Sequence, residues 1–322
     1  NLVISRRSWK SWWGNRLLRI GLPIIMFFPL MSLTLPWIFK YGRTGEFIFF
    51  YSNEGQPFHL WFLWHLILFV ILSVLFRFSY LFGIGVLQGF GRIGLGIIGI
   101  IIHKLKSIGA GVLFRSRFPL GFIVISCVVN LPSGGELAGN VAASGLYFLL
   151  GYSLYGNPSL FIFLKSHWTY YLLTGVVGFT LYMVLESNKF MLYLIALDMP
   201  ATEYLRVVSG PFGVIAVLIN IICAVSFSYA FIGLSEKHFG YSNPQLRFIS
   251  DGAYWMYLIH LPIVTFITFG MFTLQIPIEF KFFITVVLTS IICLVTYNYL
   301  VRSTLIGILL NGRRYPFKLT GV

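Results

Sequence analysis

The sequence predicts an all-α, polytopic transmembrane helix bundle, and three observations predict it. Hydrophobic residues make up 58% of the 322 residues and only 10% are charged, whereas soluble domains carry about 25% charged residues. The mean hydropathy is +0.86. Uncharged apolar runs also recur along the whole chain, and about 20 apolar residues suffice for a helix to cross a bilayer. This composition excludes an ordinary soluble domain and a disordered chain.

Eight apolar segments are the predicted spans, because each is rich in apolar residues and nearly free of charge. The first contains three prolines, which bilayer helices tolerate when neighbouring groups satisfy the freed carbonyls. The third is short. The predicted spans are Leu17–Ile38, Phe58–Phe76, Phe118–Leu131, Ala142–Tyr155, Thr169–Leu185, Leu205–Leu234, Ala253–Phe272 and Phe280–Val301.

Residues 78–102 are long enough to span, but Arg92 lies at their centre and seven glycines weaken them as a helix. An arginine at mid-bilayer costs at least about 2.5 kcal/mol. We therefore predict that residues 77–117 form a cytoplasmic segment, rich in glycine and basic residues, which is interfacial or re-entrant rather than a ninth span.

The basic residues predict the orientation of the chain. There are 23 Lys and Arg against 9 Asp and Glu, a formal net charge of +14. We place the basic residues before the first span in the cytoplasm and count eight crossings. Of the 23 Lys and Arg, 18 then lie on cytoplasmic segments. Membrane proteins are enriched in Lys and Arg on that side, so the count supports this orientation. Both ends of the chain are then cytoplasmic. The five basic residues on the outer side are Lys40, Arg43, Lys189, Arg206 and Lys281.

Charge and cysteine content exclude other classes of function. The positive charge is explained by topology, and no motif that combines aromatic and basic residues for nucleic acid is present, so we expect no nucleic-acid partner. Cys127, Cys223 and Cys293 lie inside apolar runs without metal-ligand spacing. They are typical of small buried residues and indicate neither disulfides nor a metal site.

Histidines inside predicted spans are the first candidates for chemistry, because ionisable residues in a bilayer are costly and are often functional. His59 and His65 lie in the second span, about 9 Å and some 120° apart on an ideal helix. Either could instead form a structural hydrogen bond within the bundle. Trp61 and Trp64, in the same span, are typical of an interfacial aromatic belt.

His260 lies about two turns into the seventh span, three residues after Tyr257 and on the same helical face. An imidazole beside a phenol can move a proton or hold a polar substrate. A hydrogen bond between helices, worth about 1 kcal/mol, is the alternative.

Two further patterns carry little weight. Residues 89–94 match GxGxxG, but no strand precedes them, so close helix packing or an interfacial segment explains the glycines better. Asp198, Glu203 and Arg206 form a polar group that fits a solvated outer rim. The sequence contains no HExxH or P-loop motif, so any base or nucleophile would be an isolated histidine in the bundle.

Four segments together resemble the membrane acyltransferase 3 family, and most closely its glucans biosynthesis protein C group. They run through nearly the whole chain in the family's order. They are the basic segment from Lys10 to Pro23, the His-Leu-Trp-Phe-Leu run at 59–63, the Phe-x-x-Gly pattern at 148–151, and the Tyr-Leu-x-His-x-Pro pattern at 257–262.

The resemblance implies an enzyme with ten spans in the bacterial inner membrane. It implies O-acyl transfer from cytoplasmic acyl-CoA, either succinyl-CoA or acetyl-CoA, to a carbohydrate outside the membrane, such as an osmoregulated periplasmic glucan or another surface polysaccharide. No tightly bound cofactor is implied. His59 and His260 fall on family histidines and are the predicted catalytic residues; Trp61, Tyr254, Tyr257 and Arg92 are the predicted substrate contacts.

This family begins with a helix carrying an Asp-x-x-Arg motif and an intramembrane histidine, followed by a second helix, and neither occurs in this sequence. The resemblance therefore predicts that two N-terminal helices are missing here, either because the sequence is a fragment or because it is a divergent, shortened member of the family. Two alternatives to an acyltransferase remain at this stage: a transporter or flippase for a polysaccharide or lipid-linked substrate, and a scaffold without chemistry.

Overall fold

The protein is described by a computed structural model whose elements are all helices within the described residues. These residues are 9–50, 58–89, 116–131, 137, 139–155, 157–195, 210–241, 243–312 and 314–315. The helices are α1 (Trp9–Thr44), α2 (Trp61–Gly89, preceded by a 3₁₀ turn, Phe58–Leu60), α3 (Leu120–Asn130), α4 (Val141–Tyr155), α5 (Pro158–Ile195), α6 (Pro211–His238), α7 (Pro244–Gly270), α8 (Ile278–Thr296, followed by a π-helical turn, Tyr297–Arg302) and α9 (Leu305–Asn311). The predicted all-α, multi-pass membrane bundle is confirmed.

Six of the helices in the described part of the chain are long and apolar enough to cross a membrane, namely α1, α2, α5, α6, α7 and α8. Each corresponds to a predicted span. The other two predicted spans form α3 and α4, which have 11 and 15 residues. At 1.5 Å per residue these helices are about 17 and 22 Å long, shorter than a hydrocarbon core of about 30 Å.

Several helices extend beyond the predicted spans. Helix α7 begins at Pro244, where the Asn243 side chain caps the first turn by accepting a hydrogen bond from the Gln245 N–H at 2.8 Å. Helix α5 begins at Pro158 and is interrupted at His167, whose backbone is not helical (φ −117°, ψ 17°). Helix α2 continues to Gly89. The remainder of the predicted interfacial segment up to residue 115, with Arg92, lies outside the described residues.

The chain divides into two compact units. The first unit comprises Asn1–Phe76 and Ser242–Val322. Its helices α1 and α7 run in the same direction, since Tyr254 bonds to Arg19 near their starts and Phe269 packs on Gly42 near their ends. The buried core of this unit consists of Phe27, Met31, Leu35, Leu60, Leu63, Trp255, Leu258, Tyr297, Val301 and Leu310.

The second unit comprises Arg77–Tyr241. Helices α5 and α6 pack antiparallel with little space between them, because a Cβ at Gly175 would meet Phe227 and one at Gly178 would meet Cys223. Small residues at helix contacts are typical of membrane bundles. The buried core of this unit consists of Phe122, Ile123, Leu150, Leu154, Leu160, Leu164, Val217, Ile221, Val225 and Tyr229.

Candidate active site

The fold of the first unit brings both predicted catalytic histidines together. The ring centroids of His59 and His260 are 5.1 Å apart, edge to face. The Tyr257 ring lies 5.5 Å from His59 and 6.1 Å from His260. Three candidates from segments about 200 residues apart therefore form one cluster, which we call the histidine pair site.

Local structure fixes the position of each histidine. His59 lies in the 3₁₀ turn before α2, between Phe58, whose φ is 44°, and Leu60, which is completely buried in the core. His260 lies in α7, two residues after the fully buried Leu258. Burial of the flanking leucines therefore anchors both segments on the same core.

One backbone carbonyl orients both imidazoles. The Tyr257 carbonyl accepts a hydrogen bond from His59 Nε2 at 3.0 Å and from His260 Nδ1 at 2.9 Å. The Leu258 carbonyl also lies within hydrogen-bonding reach of His59. Because Pro262 has no N–H, it leaves this Leu258 carbonyl without its usual helical donor. The proline thus supplies acceptor capacity at the point where His59 meets α7.

These hydrogen bonds determine the tautomers of the two neutral rings. A carbonyl oxygen only accepts, so the protons lie on His59 Nε2 and His260 Nδ1. The lone pairs are therefore on His59 Nδ1 and His260 Nε2. Within the described residues, His59 Nδ1 is buried and has no hydrogen-bond partner. An unpaired buried acceptor costs about 1–3 kcal/mol, and it is suited to accept the proton of a bound hydroxyl.

The two predicted substrate-binding tyrosines direct their phenols to backbone carbonyls. The Tyr257 hydroxyl donates to the His59 carbonyl at 2.6 Å, which makes the contact between these residues reciprocal. The Tyr254 hydroxyl donates to the Arg19 carbonyl at 2.8 Å and links α7 to α1. Both phenols therefore join helices.

The remaining predicted residues lie elsewhere or outside the described residues. The ring contacts of Trp61 are with Phe62 and His65, on its own helix. His65 is 3% exposed and packs in the core, in agreement with the structural alternative. Arg92 is outside the described residues, so its predicted contact with substrate stays a prediction.

Sequence reasoning missed the Tyr257 carbonyl and the partly exposed Phe62, whose ring lies 6.2 Å from that of Tyr257. The proline two residues after His260 signals a free carbonyl at Leu258, four residues earlier, whereas nothing in the sequence marks the carbonyl of Tyr257. No sequence signal indicated Phe62.

Comparison with known proteins gives the class of chemistry. A model of the acyltransferase 3 family, described as an acyltransferase domain, matches residues 2–298. The chain belongs to the acyltransferase 3 family. It is thus a membrane acyltransferase, and the histidine pair site lies within the matched residues. No curated protein and no solved structure matches the chain, and the closer resemblance to the glucans biosynthesis protein C group stays a prediction.

Proposed function

We propose that this acyltransferase moves an acyl group from cytoplasmic acyl-CoA to a carbohydrate hydroxyl on the other side of the membrane, with His59 as the general base. The unpaired, buried Nδ1 of His59 carries the proposal. His59 is held by a reciprocal contact and faces a second imidazole at 5.1 Å. A fixed lone pair within hydrogen-bond reach of a bound hydroxyl is what general-base catalysis requires.

In the proposed step, one proton passes from the acceptor hydroxyl to His59 and then from His59 to the leaving thiolate. As the hydroxyl oxygen attacks the thioester carbonyl, its proton passes to His59 Nδ1, the new C–O bond forms and the C–S bond breaks. The resulting imidazolium then returns the proton to the departing thiolate, so that the products are an ester and free coenzyme A. Imidazole suits this exchange because its unprotonated ring nitrogen can accept a proton and then release it.

The other candidates receive separate roles in the proposal. His260, through Nε2, and the ring of Tyr257 line the path of the acyl group, and the Tyr257 phenol positions His59. Tyr254 supports this wall through its bond to Arg19, and Trp61 contacts substrate on the α2 side. Arg92, Lys104 and Lys106, within residues 77–117, meet the phosphates of coenzyme A, since arginine and lysine pair well with phosphate.

The substrates and the location follow from the family resemblance and the charge pattern. We infer succinyl-CoA or acetyl-CoA as donor and an osmoregulated periplasmic glucan or another surface polysaccharide as acceptor. The inferred location is the bacterial inner membrane with the C-terminus in the cytoplasm, because basic segments remain on the cytoplasmic side.

The histidine assignments are tested by measuring release of free thiol from acetyl-CoA and succinyl-CoA, with purified glucan as acceptor, in membranes that contain the protein. We expect His59→Ala to lower kcat about 100-fold or more, the usual contribution of a general base, and His260→Ala to lower it as well. His238→Ala is the matched control, because His238 is exposed and lies in the second unit.

Full activity of both variants would reject the assigned roles while leaving acyl transfer intact. Failure of the unsubstituted protein to release thiol from either donor, while it moves glucan across the membrane, would instead favour a transporter. The two results distinguish an error in the site from an error in the function.

A further inference from the structure

Three exposed basic residues lie at one end of the second unit. Arg117 precedes α3, Lys165 lies in the first part of α5, and Lys237 lies in the last turn of α6. Because α5 and α6 run antiparallel, the start of one meets the end of the other: a Cβ at Gly233 would touch Leu164 and Trp168. Cations from three separate segments thus reach one end of the unit, and we call them the basic end.

Aromatic side chains hold two of these cations in place. The Arg117 guanidinium carbon lies 4.1 Å from the centroid of the Phe163 ring, and the His167 ring stacks on Phe163 at 4.0 Å. Tyr171 donates a hydrogen bond to the Arg117 carbonyl. Lys237 Nζ lies 5.9 Å from the Trp168 ring. Cation–π contacts of this kind orient a cation while it keeps its charge.

The basic end has an excess of positive charge among the described residues. Glu236, which is exposed, is the carboxylate beside Lys237. Three cations against this one carboxylate favour an anionic ligand, and lysine and arginine near a membrane surface each attract anionic lipid by about 1 kcal/mol.

An apolar surface begins about one turn beyond Lys165. Tyr170, Leu173 and Val177 are 67%, 63% and 59% exposed, and they follow one another along one face of α5. This stripe runs away from the basic end along a helix long enough to span the membrane. Cations followed by an exposed apolar stripe match a molecule with an anionic head and long apolar chains.

We propose that the basic end binds an anionic phospholipid. The positive charge of Arg117, Lys165 and Lys237 attracts its phosphate to this end, and an acyl chain lies along the stripe of α5. This site is in a different unit from the histidine pair site, and it does not depend on the proposed acyl transfer.

The experiment is native mass spectrometry of the full chain released from membranes that contain phosphatidylglycerol and phosphatidylcholine, with and without added coenzyme A. The triple variant Arg117→Gln, Lys165→Gln, Lys237→Gln should lose bound phosphatidylglycerol, with affinity about fivefold weaker for each cation removed. The matched control is Arg43→Gln, Lys40→Gln, Lys281→Gln, which removes one arginine and two lysines from the first unit. This control variant should retain phosphatidylglycerol. Added coenzyme A should not displace phosphatidylglycerol from the unsubstituted protein.

Two results would overturn the proposal. Equal retention of phosphatidylglycerol by both triple variants would show that the basic end binds no particular lipid. Displacement of the lipid by coenzyme A would assign these cations to a soluble phosphate ligand. Should the triple variant fail to fold, Lys165→Gln alone tests the same point, because the exposed Lys165 has no hydrogen bond or ion pair with the described residues.

Discussion

The histidine pair site shows which properties of single residues the sequence reveals. Pattern alone identified His59, His260 and Tyr257, because polar groups are conspicuous in apolar runs, and the i, i+3 spacing placed the last two on one face. Pattern could not reveal that one carbonyl serves both rings, or that the Tyr257 phenol points to the His59 backbone at 2.6 Å. Those are contacts between distant segments, and they depend on how α2 and α7 pack.

Tyr257→Phe separates a positioning role from substrate binding. Loss of the phenol should release the turn that carries His59, so we expect kcat to fall about tenfold with little change in KM, since a small misplacement of a catalytic group is costly. The measurement is steady-state thiol release at varied acceptor concentration. Tyr171→Phe is the control, because its phenol also donates to a backbone carbonyl, that of Arg117, but in the second unit.

A second readout distinguishes positioning from general destabilisation. In the His59→Ala background, Tyr257→Phe should cause no further loss of kcat, because residues that act through one another are not additive. A raised KM at unchanged kcat would contradict the positioning role and return the Tyr257 phenol to the substrate.

At the scale of helices, apolar pattern located the middle of each span but not its ends. The predicted start of the fifth span, Thr169, lies just after the non-helical His167, so pattern detected the part of α5 beyond this break. The nine residues from Pro158 to Ser166 carry lysine and serine and were not predicted as helix. Their helix depends on packing of Leu160 and Leu164 in the core, which no local signal reports.

Close approach of α5 and α6 makes Gly233 sensitive to a single added methyl group. A Cβ there would lie 2.8 Å from the Leu164 carbonyl carbon and 2.9 Å from Trp168 Cβ, and a backbone neighbour cannot rotate away. We expect Gly233→Ala to lower the free energy of unfolding by about 1–3 kcal/mol, as overpacking does. Thermal unfolding in detergent measures this change.

Gly151→Ala is the matched control in α4, because a Cβ there meets no atom within 4 Å. Alanine is the better helix former, so this variant should be as stable as the parent or slightly more stable. If both variants unfold at the parent's temperature, the close contact between α5 and α6 is not a determinant of stability.

At the scale of the whole molecule, charge was the informative property. In the first unit, Arg302 lies over Phe248 near the start of α7, whereas Lys281 donates to the Phe272 carbonyl just beyond its end. The basic residues assigned to inside and outside thus lie at opposite ends of α7. Counting charge predicts an orientation because the insertion preference acts on local composition, whereas the length of a helix, as in the short α3 and α4, depends on the fold.

Single cysteines at Lys40, Lys237 and Arg247 test the topology. With eight spans, one crossing precedes Lys40, which is therefore outside. Six crossings precede Lys237 and Arg247, which are therefore inside. A membrane-impermeant maleimide should therefore label Lys40→Cys in intact spheroplasts and label Lys237→Cys and Arg247→Cys only after permeabilisation. The unsubstituted protein gives the background from the native cysteines, of which Cys223 and Cys293 are buried and Cys127 is half-buried. A ninth span in residues 78–102 would reverse every later segment, so labelling of all three positions in intact spheroplasts would replace the eight-span topology with nine.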